Sequence, residues 1–159
     1  MSKIHMRCAL KELGDIDSID IRPMVRADTQ RLGALFYSAY VGTVDYEGET
    51  PTEAVGAVEA TFSGEFGEFI DGASMVLERE GQHLSASFMT LWQDRPLLAF
   101  AVTDPAHKGR GLSRRCTSAA MNALARLGYP ELDLFVTETN EPAIALYRSL
   151  GFVQVGAPP

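Results

Sequence analysis

The sequence predicts an α/β protein: one mixed sheet, mostly antiparallel with a single parallel crossover, and helices on both faces. Three observations predict it. Residues 73–103 hold three extended runs, ASMVLERE, HLSASFMTLW and RPLLAFAVT, separated by Gly81-Gln82 and Gln93-Asp94, gaps short enough for hairpins. The third run leads into a long helical period and then into LDLFV at 132–136, a strand–helix–strand unit. Such a unit crosses over right-handed, so the run ending at Thr103 and the one starting at Leu132 should be parallel neighbours.

The elements follow in order. IDIRPM is a short strand, and Asp28 can then cap a helix whose Leu32, Leu35, Phe36 and Ala39 keep helical spacing. YVGTVDYEGETP, residues 40–51, breaks that period. Thr50-Pro51-Thr52-Glu53 combines a capping box with proline at the first helical position, so a second helix should run from about Pro51 to Phe62. After the three-strand meander, Leu112, Cys116, Ala119, Ala120, Ala123, Leu124 and Leu127 recur at three and four, and Gly128 ends the helix. Asn140 opens a last helix carrying Ala143, Ile144, Tyr147 and Leu150, stopped by Gly151 before FVQV. The resulting string is βααβββαβαβ.

Composition bounds the rest. The chain has 159 residues, 46% hydrophobic and 22% charged, which suits one globular domain over residues 19–159 with residues 1–18 as an N-terminal extension. With 14 Lys and Arg against 21 Asp and Glu the formal charge is -7, which argues against a nucleic-acid partner. MSKIHMRCAL lacks the apolar stretch of a signal peptide, and LLAFAV (97–102) is far shorter than a membrane span, so no membrane association and a cytoplasmic location are expected. Cys8 and Cys116 fit no metal spacing and read as reduced thiols, and His5, His83 and His107 share no ligand pattern; no metal is expected.

The stretch HKGRGLSRRC, residues 107–116, places Lys108, Arg110, Arg114 and Arg115 around two glycines at a predicted helix start. Cations there oppose the helix dipole unless an anion shares the site. A helix N-terminus offers unpaired amides to a phosphate, and Gly109 and Gly111 would let the backbone come close to one. A flexible turn with solubilising charges is the plainer reading of a bare GxG. A dinucleotide fingerprint would need a third glycine where Arg114 stands.

VTDPAHKGRGLS, followed by helix, strand and NEPAIALYRSLGF, resembles the GNAT superfamily of acetyl-coenzyme A dependent N-acetyltransferases, strongly over residues 97–153 and mainly in element order from Ile19 to Leu97. In the family's phosphate signature (Gln or Arg, two residues, Gly, one residue, Gly or Ala), Lys108, Gly111 and Ser113 occupy the three defined places. Lys108 keeps a cation without the bidentate fork and Ser113 adds bulk, departures that bear on cofactor affinity more than identity.

The resemblance implies a GNAT-like fold with splayed fourth and fifth strands. It implies an acetyl-CoA pyrophosphate on Gly109, Arg110, Gly111, Leu112, Ser113 and Arg114, with Lys108 adding charge. Pantetheine would pair with Ala101, Val102 and Thr103, beside a bulge that frees amides for the thioester carbonyl. Asn140 would contact the cofactor besides capping its helix, and Tyr147 would be the general acid, unless it is simply a packed aromatic. For the base, Glu138 and Glu47 are candidates beside an ordered water. Tyr40, Asp45, Tyr46 and Glu47, with Glu49, would receive the acceptor, a small-molecule or peptidyl amine that the acidic loop would suit if cationic, with a solvated acidic loop as the plainer reading. A non-catalytic acyl-CoA-binding module on the same fold is the alternative function. After Gly151-Phe152 there is room for one short strand where the family has a hairpin. IHMRCALKEL (4–13) could therefore fill the sheet edge, within the chain or across a homodimer.

Overall fold

The computed structural model describes residues 2–14, 16–43 and 45–156; residues 157–159 of the expected domain lie outside them. In chain order the elements are β1 (Lys3–Ala9), β2 (Ile21–Pro23), α1 (Thr29–Tyr40), α2 (Pro51–Ser63), β3 (Glu68–Phe69), β4 (Met75–Arg79), β5 (Gln82–Trp92), β6 (Arg95–Thr103), α3 (Leu112–Arg126), β7 (Glu131–Thr137), α4 (Glu141–Ser149) and β8 (Val153–Gln154). They form one sheet in the order β2-β4-β5-β6-β7-β1-β8, with β3 on β5 off that path. The expected β4–β5–β6 meander is present, and β6 and β7 are the parallel pair.

Two apolar cores cover the two faces. Leu112, Cys116, Ala120, Met121 and Leu124 of α3 pack with Met6, Leu132, Leu134, Tyr147 and Phe152 on one side. Leu32, Leu35 and Phe36 of α1 and Ala54, Val58 and Phe62 of α2 pack with Val76, Ala86, Phe88 and Val102 on the other. The approach of α1 to α2 depends on Gly33, where an added Cβ would meet Val55 Cγ2 at 2.4 Å. The capping box of α2 is made as the sequence predicts, with Thr50 Oγ1 and the Glu53 carboxylate each accepting the other's amide at 3.1 Å.

Three features differ from the sequence expectation. First, the N-terminal segment adds a strand to the sheet within the chain, but one place in from the edge: β1 lies between β7 and β8, antiparallel to both, with Lys3–Ala9 opposite Glu131–Thr137. Its alternation explains the place, since Met6 and Cys8 are buried in the α3-side core while His5 and Arg7 face the other way. There they serve Asp133, a carboxylate only 1% exposed, through Arg7 Nε at 2.8 Å and His5 Nε2 at 2.7 Å. Burial opposes ionisation of Asp133, but these hydrogen bonds outweigh it and hold its carboxyl below the usual aspartate value.

Second, Asp28 makes no side-chain cap on α1. Its buried carboxylate instead accepts two hydrogen bonds from Arg22, at 2.8 and 2.9 Å, and one from the Val25 amide. A guanidinium fork is the stronger claim on a buried carboxylate. Third, β3 follows α2, a two-residue pairing too short to leave a pattern in the sequence.

Candidate active site

Between β6 and β7 the sheet opens. The two strands pair only where Leu97 and Leu98 meet Asp133 and Leu134. The reason lies one residue on: Phe88 faces Phe100 while Met89 faces Leu98, so β6 carries an extra residue, Ala99. A bulge bends its strand and interrupts the ladder. From Ala99 to Thr103, β6 pairs with β5 alone and its other edge borders a cleft of about 1250 Å³, lined across the gap by Leu134–Thr137.

The glycine loop closes one end of this cleft. Gly111 is the N-cap of α3 at φ 76°, a left-handed conformation that favours glycine, and it offers no side chain to cap the helix. The first amides of α3, at Leu112, Ser113 and Arg114, border the cleft without a side-chain cap, as an anion site requires. Lys108 and Gly109 line it too. Arg114 donates to Ser149 Oγ, which ties this end of α3 to the end of α4. Arg115 turns to Asp17 and Asp20, so its charge holds the N-terminal segment and does not serve the loop.

Helix α4 supplies the far wall. Asn140 lines the cleft while its side-chain oxygen accepts the Ala143 amide at 3.3 Å, so the cap leaves the Asn140 amide group for other partners. Tyr147 is 9% exposed, packs edge-on against Phe152 and lines the cleft, and its hydroxyl has no hydrogen-bond partner among the described residues. Burial pushes its pKa up to about 12. The phenol therefore keeps its proton through the physiological range.

The opposite wall is the segment between α1 and α2. Tyr40 is raised further, by burial first and then by Tyr147, Asp45 and Glu49, so each of these three groups lies within electrostatic reach of Tyr40. Asp45 accepts a hydrogen bond from Thr137 Oγ1 at 2.8 Å, joining the loop to the end of β7. Tyr46 packs edge-on against Tyr37 and donates to the Glu49 carbonyl. Tyr40, Asp45, Tyr46 and the exposed Glu47 all line the cleft.

The structure thus brings Ala101, Val102, Thr103, Lys108, Gly109, Gly111, Leu112, Ser113, Arg114, Asn140 and Tyr147 to one cavity. Two expected residues are placed elsewhere: Arg110 and Glu138 are exposed and do not line the cleft. For Glu138, β7 ends at Thr137, and the residue after it lies in the turn before α4, beyond the covered faces of the sheet. Glu49, expected with the acceptor residues, lines the cleft as well. Sequence reasoning missed Ala99 and Glu53. Glu53 was visible only as part of the capping box, and the bulge leaves no local signature. Away from the cleft, Asp28, Glu78 and His83 gather ligand atoms within 4.8 Å, but Arg22 already donates to both carboxylates there.

A parted pair of parallel strands, a glycine loop on a helix terminus and a buried phenol line one cleft of a mixed-sheet α/β protein. The comparisons give this fold its family. A family model described as Acetyltransferase (GNAT) family matches residues 21–152, and the chain belongs to that family. A mycothiol acetyltransferase of Nocardioides sp. is 51% identical over 49 residues, 31% of this chain and 17% of its own length. The chain spans less than a third of the length of the curated relatives it matches. Among solved structures, a GCN5-related N-acetyltransferase from Sphaerobacter thermophilus superposes with a TM-score of 0.72 at 14% identity, covering 96% of this chain and 48% of the other. yncA of Salmonella typhimurium, solved with its cofactor acetyl-CoA, gives 0.62 at 20% identity, covering 82% and 77%. These likenesses establish the GNAT fold.

Proposed function

We propose that this chain is an acetyl-CoA-dependent N-acetyltransferase acting on a primary amine of a small molecule or peptide, with residues 19–159 and strand β1 working as one catalytic domain. The observation that carries it is the single cleft that joins the uncapped amides of α3 to the unpartnered Tyr147 hydroxyl through the free edge of β6.

These residues fit acetyl-CoA. The amides of Leu112, Ser113 and Arg114, with Lys108, bind a pyrophosphate. The unpaired edge of Ala101, Val102 and Thr103 takes the pantetheine amides as an added strand. When bound, acetyl-CoA supplies an acetyl group activated as a thioester. Amides freed at the Ala99 bulge polarise its carbonyl. Tyr147 would hold a proton at Oη and give it to the sulfur as the C–S bond breaks and the amine nitrogen keeps its new C–N bond, and the proton shed by that nitrogen, passed through water, would restore the phenol. The burial that raises the phenol also raises a thiolate beside it, which keeps the transfer feasible. The amine must arrive neutral, its proton lost to water or to a carboxylate of the acidic wall. Among the described residues no helix is long and apolar enough to cross a membrane; Cys8 and Cys116 are both free and buried, in keeping with a cytoplasmic setting. Because β1 comes from the same chain, the place beside β7 needs no partner's strand.

The test is calorimetric binding of acetyl-CoA beside 3′-dephospho- and desulfo-analogues, followed by acetyl transfer to a panel of amines. Micromolar binding with turnover is expected. Binding without turnover on any amine would favour the acyl-CoA-binding module, and no binding would remove both readings.

A further inference from the structure

The cleft is electrically divided. Lys108, Arg114 and the uncapped start of α3 make one end positive, while Asp45, Glu47, Glu49 and Glu53 line the other. Among the described residues none of these four carboxylates forms an ion pair, although Arg7, Arg22, Arg79, Arg115 and Arg126 each engage acidic groups elsewhere. Lys3, which borders the same cleft, pairs with none of them.

Three of the four are nevertheless held in place through one oxygen. Asp45 Oδ1 accepts from Thr137 Oγ1, Glu49 Oε2 from the Glu47 amide at 3.1 Å and Glu53 Oε1 from the Thr50 amide at 3.1 Å. Each keeps its second oxygen for another donor. A pinned, unpaired carboxylate loses little side-chain entropy when a cation arrives. Tyr147, a residue nine-tenths buried whose hydroxyl has no partner among the described residues, lines the same cavity, and Tyr40 lies within electrostatic reach of Tyr147, Asp45 and Glu49. The carboxylates therefore share one cavity with the proton donor of the proposed reaction, and Tyr37, Tyr40 and Tyr46 line it too, rings suited to alkylammonium groups.

We infer that the acceptor carries a second ammonium group besides the amine that is acetylated, and that Asp45, Glu49 and Glu53 bind it. The acceptor class is a di- or polyamine, or a peptide whose reacting amine has a cationic neighbour. This rests on the acetyltransferase reading for the direction of the acceptor, but the cation site itself can be measured without turnover.

The experiment compares 1,5-diaminopentane with pentylamine, binding both by calorimetry to the whole chain with coenzyme A present, and measuring kcat/KM for acetyl transfer to each. The same measurements follow on Asp45→Asn and on Glu49→Gln/Glu53→Gln, in which glutamine preserves the capping box. The diamine should bind about tenfold more tightly, with the preference falling to about twofold in either variant and shrinking as salt rises. Equal affinity for the two amines, or a preference that both variants retain, overturns the inference. A charge-selective diamine site in a protein that transfers no acetyl group would keep the inference and remove the acetyltransferase reading.

Discussion

The two walls of the cleft are made of different material. On the wall proposed for the cofactor the groups on offer are backbone: the amides at the start of α3, the unpaired edge of β6 and the bulge at Ala99. On the wall proposed for the acceptor they are side chains carried on the segment between α1 and α2, with Asp45 fastened to β7 through Thr137. Backbone groups are placed by topology and tolerate many sequences around them, so they suit a ligand common to a family. Side chains on a loop can change while the fold stays, so they set what is particular to this chain.

The strongest way to break the comparison is to place a charge in the backbone wall. Gly111→Glu puts a carboxylate at the helix start and a side chain at positive φ, and acetyl-CoA affinity should fall by about 100-fold or more in calorimetry. Retained binding would show that the loop is not the anion site. Next, Tyr147→Phe should lower kcat by roughly 100-fold, in the usual range for a lost general acid, with the acetyl-CoA Kd within about twofold. A kcat equal to wild type would reduce Tyr147 to packing.

Gly33→Ala acts on the scaffold under the acceptor wall. Its Cβ would overlap Val55, so stability should fall by about 1–3 kcal/mol, seen as a Tm lower by several degrees. Asp133 gives a pH signature for the strand beside the cleft. Its folded pKa lies below the ordinary aspartate value, so its contribution is complete above about pH 4 and is lost as pH falls through the folded pKa. In Asp133→Asn, urea unfolding at pH 3 and at pH 6 should differ less than in wild type. The smallest effect is expected of Thr137→Val, which frees Asp45: acceptor KM should rise about two- to fivefold with kcat nearly unchanged. An unchanged KM would mean that the loop holds its geometry without β7.

Legibility divided along the same line. HKGRGLS, Asn140 and Tyr147 were readable because glycines, a cap and a helical period are local signals, and each of those residues except Arg110 lines the cleft. Arg110 and Arg115 looked alike in the sequence, yet one is exposed and the other reaches Asp17 and Asp20 from the N-terminal segment. That contact lies far apart along the chain, where no spacing argument applies. Asp28 looked like a cap because a carboxylate before an apolar period usually is one, but Arg22 outcompeted the helix amides for it.

By itself the sequence determined the order of the strands and helices other than β1 and β3, the parallel crossover and the glycine loop before α3, because each depends on residues close together in the chain. The tertiary structure alone decided that β1 enters between β7 and β8, that Ala99 bulges and parts β6 from β7, and that Asp45, Glu49 and Glu53 share a cavity with Tyr147. Those facts depend on which distant segments bury one another, and a local pattern cannot carry them.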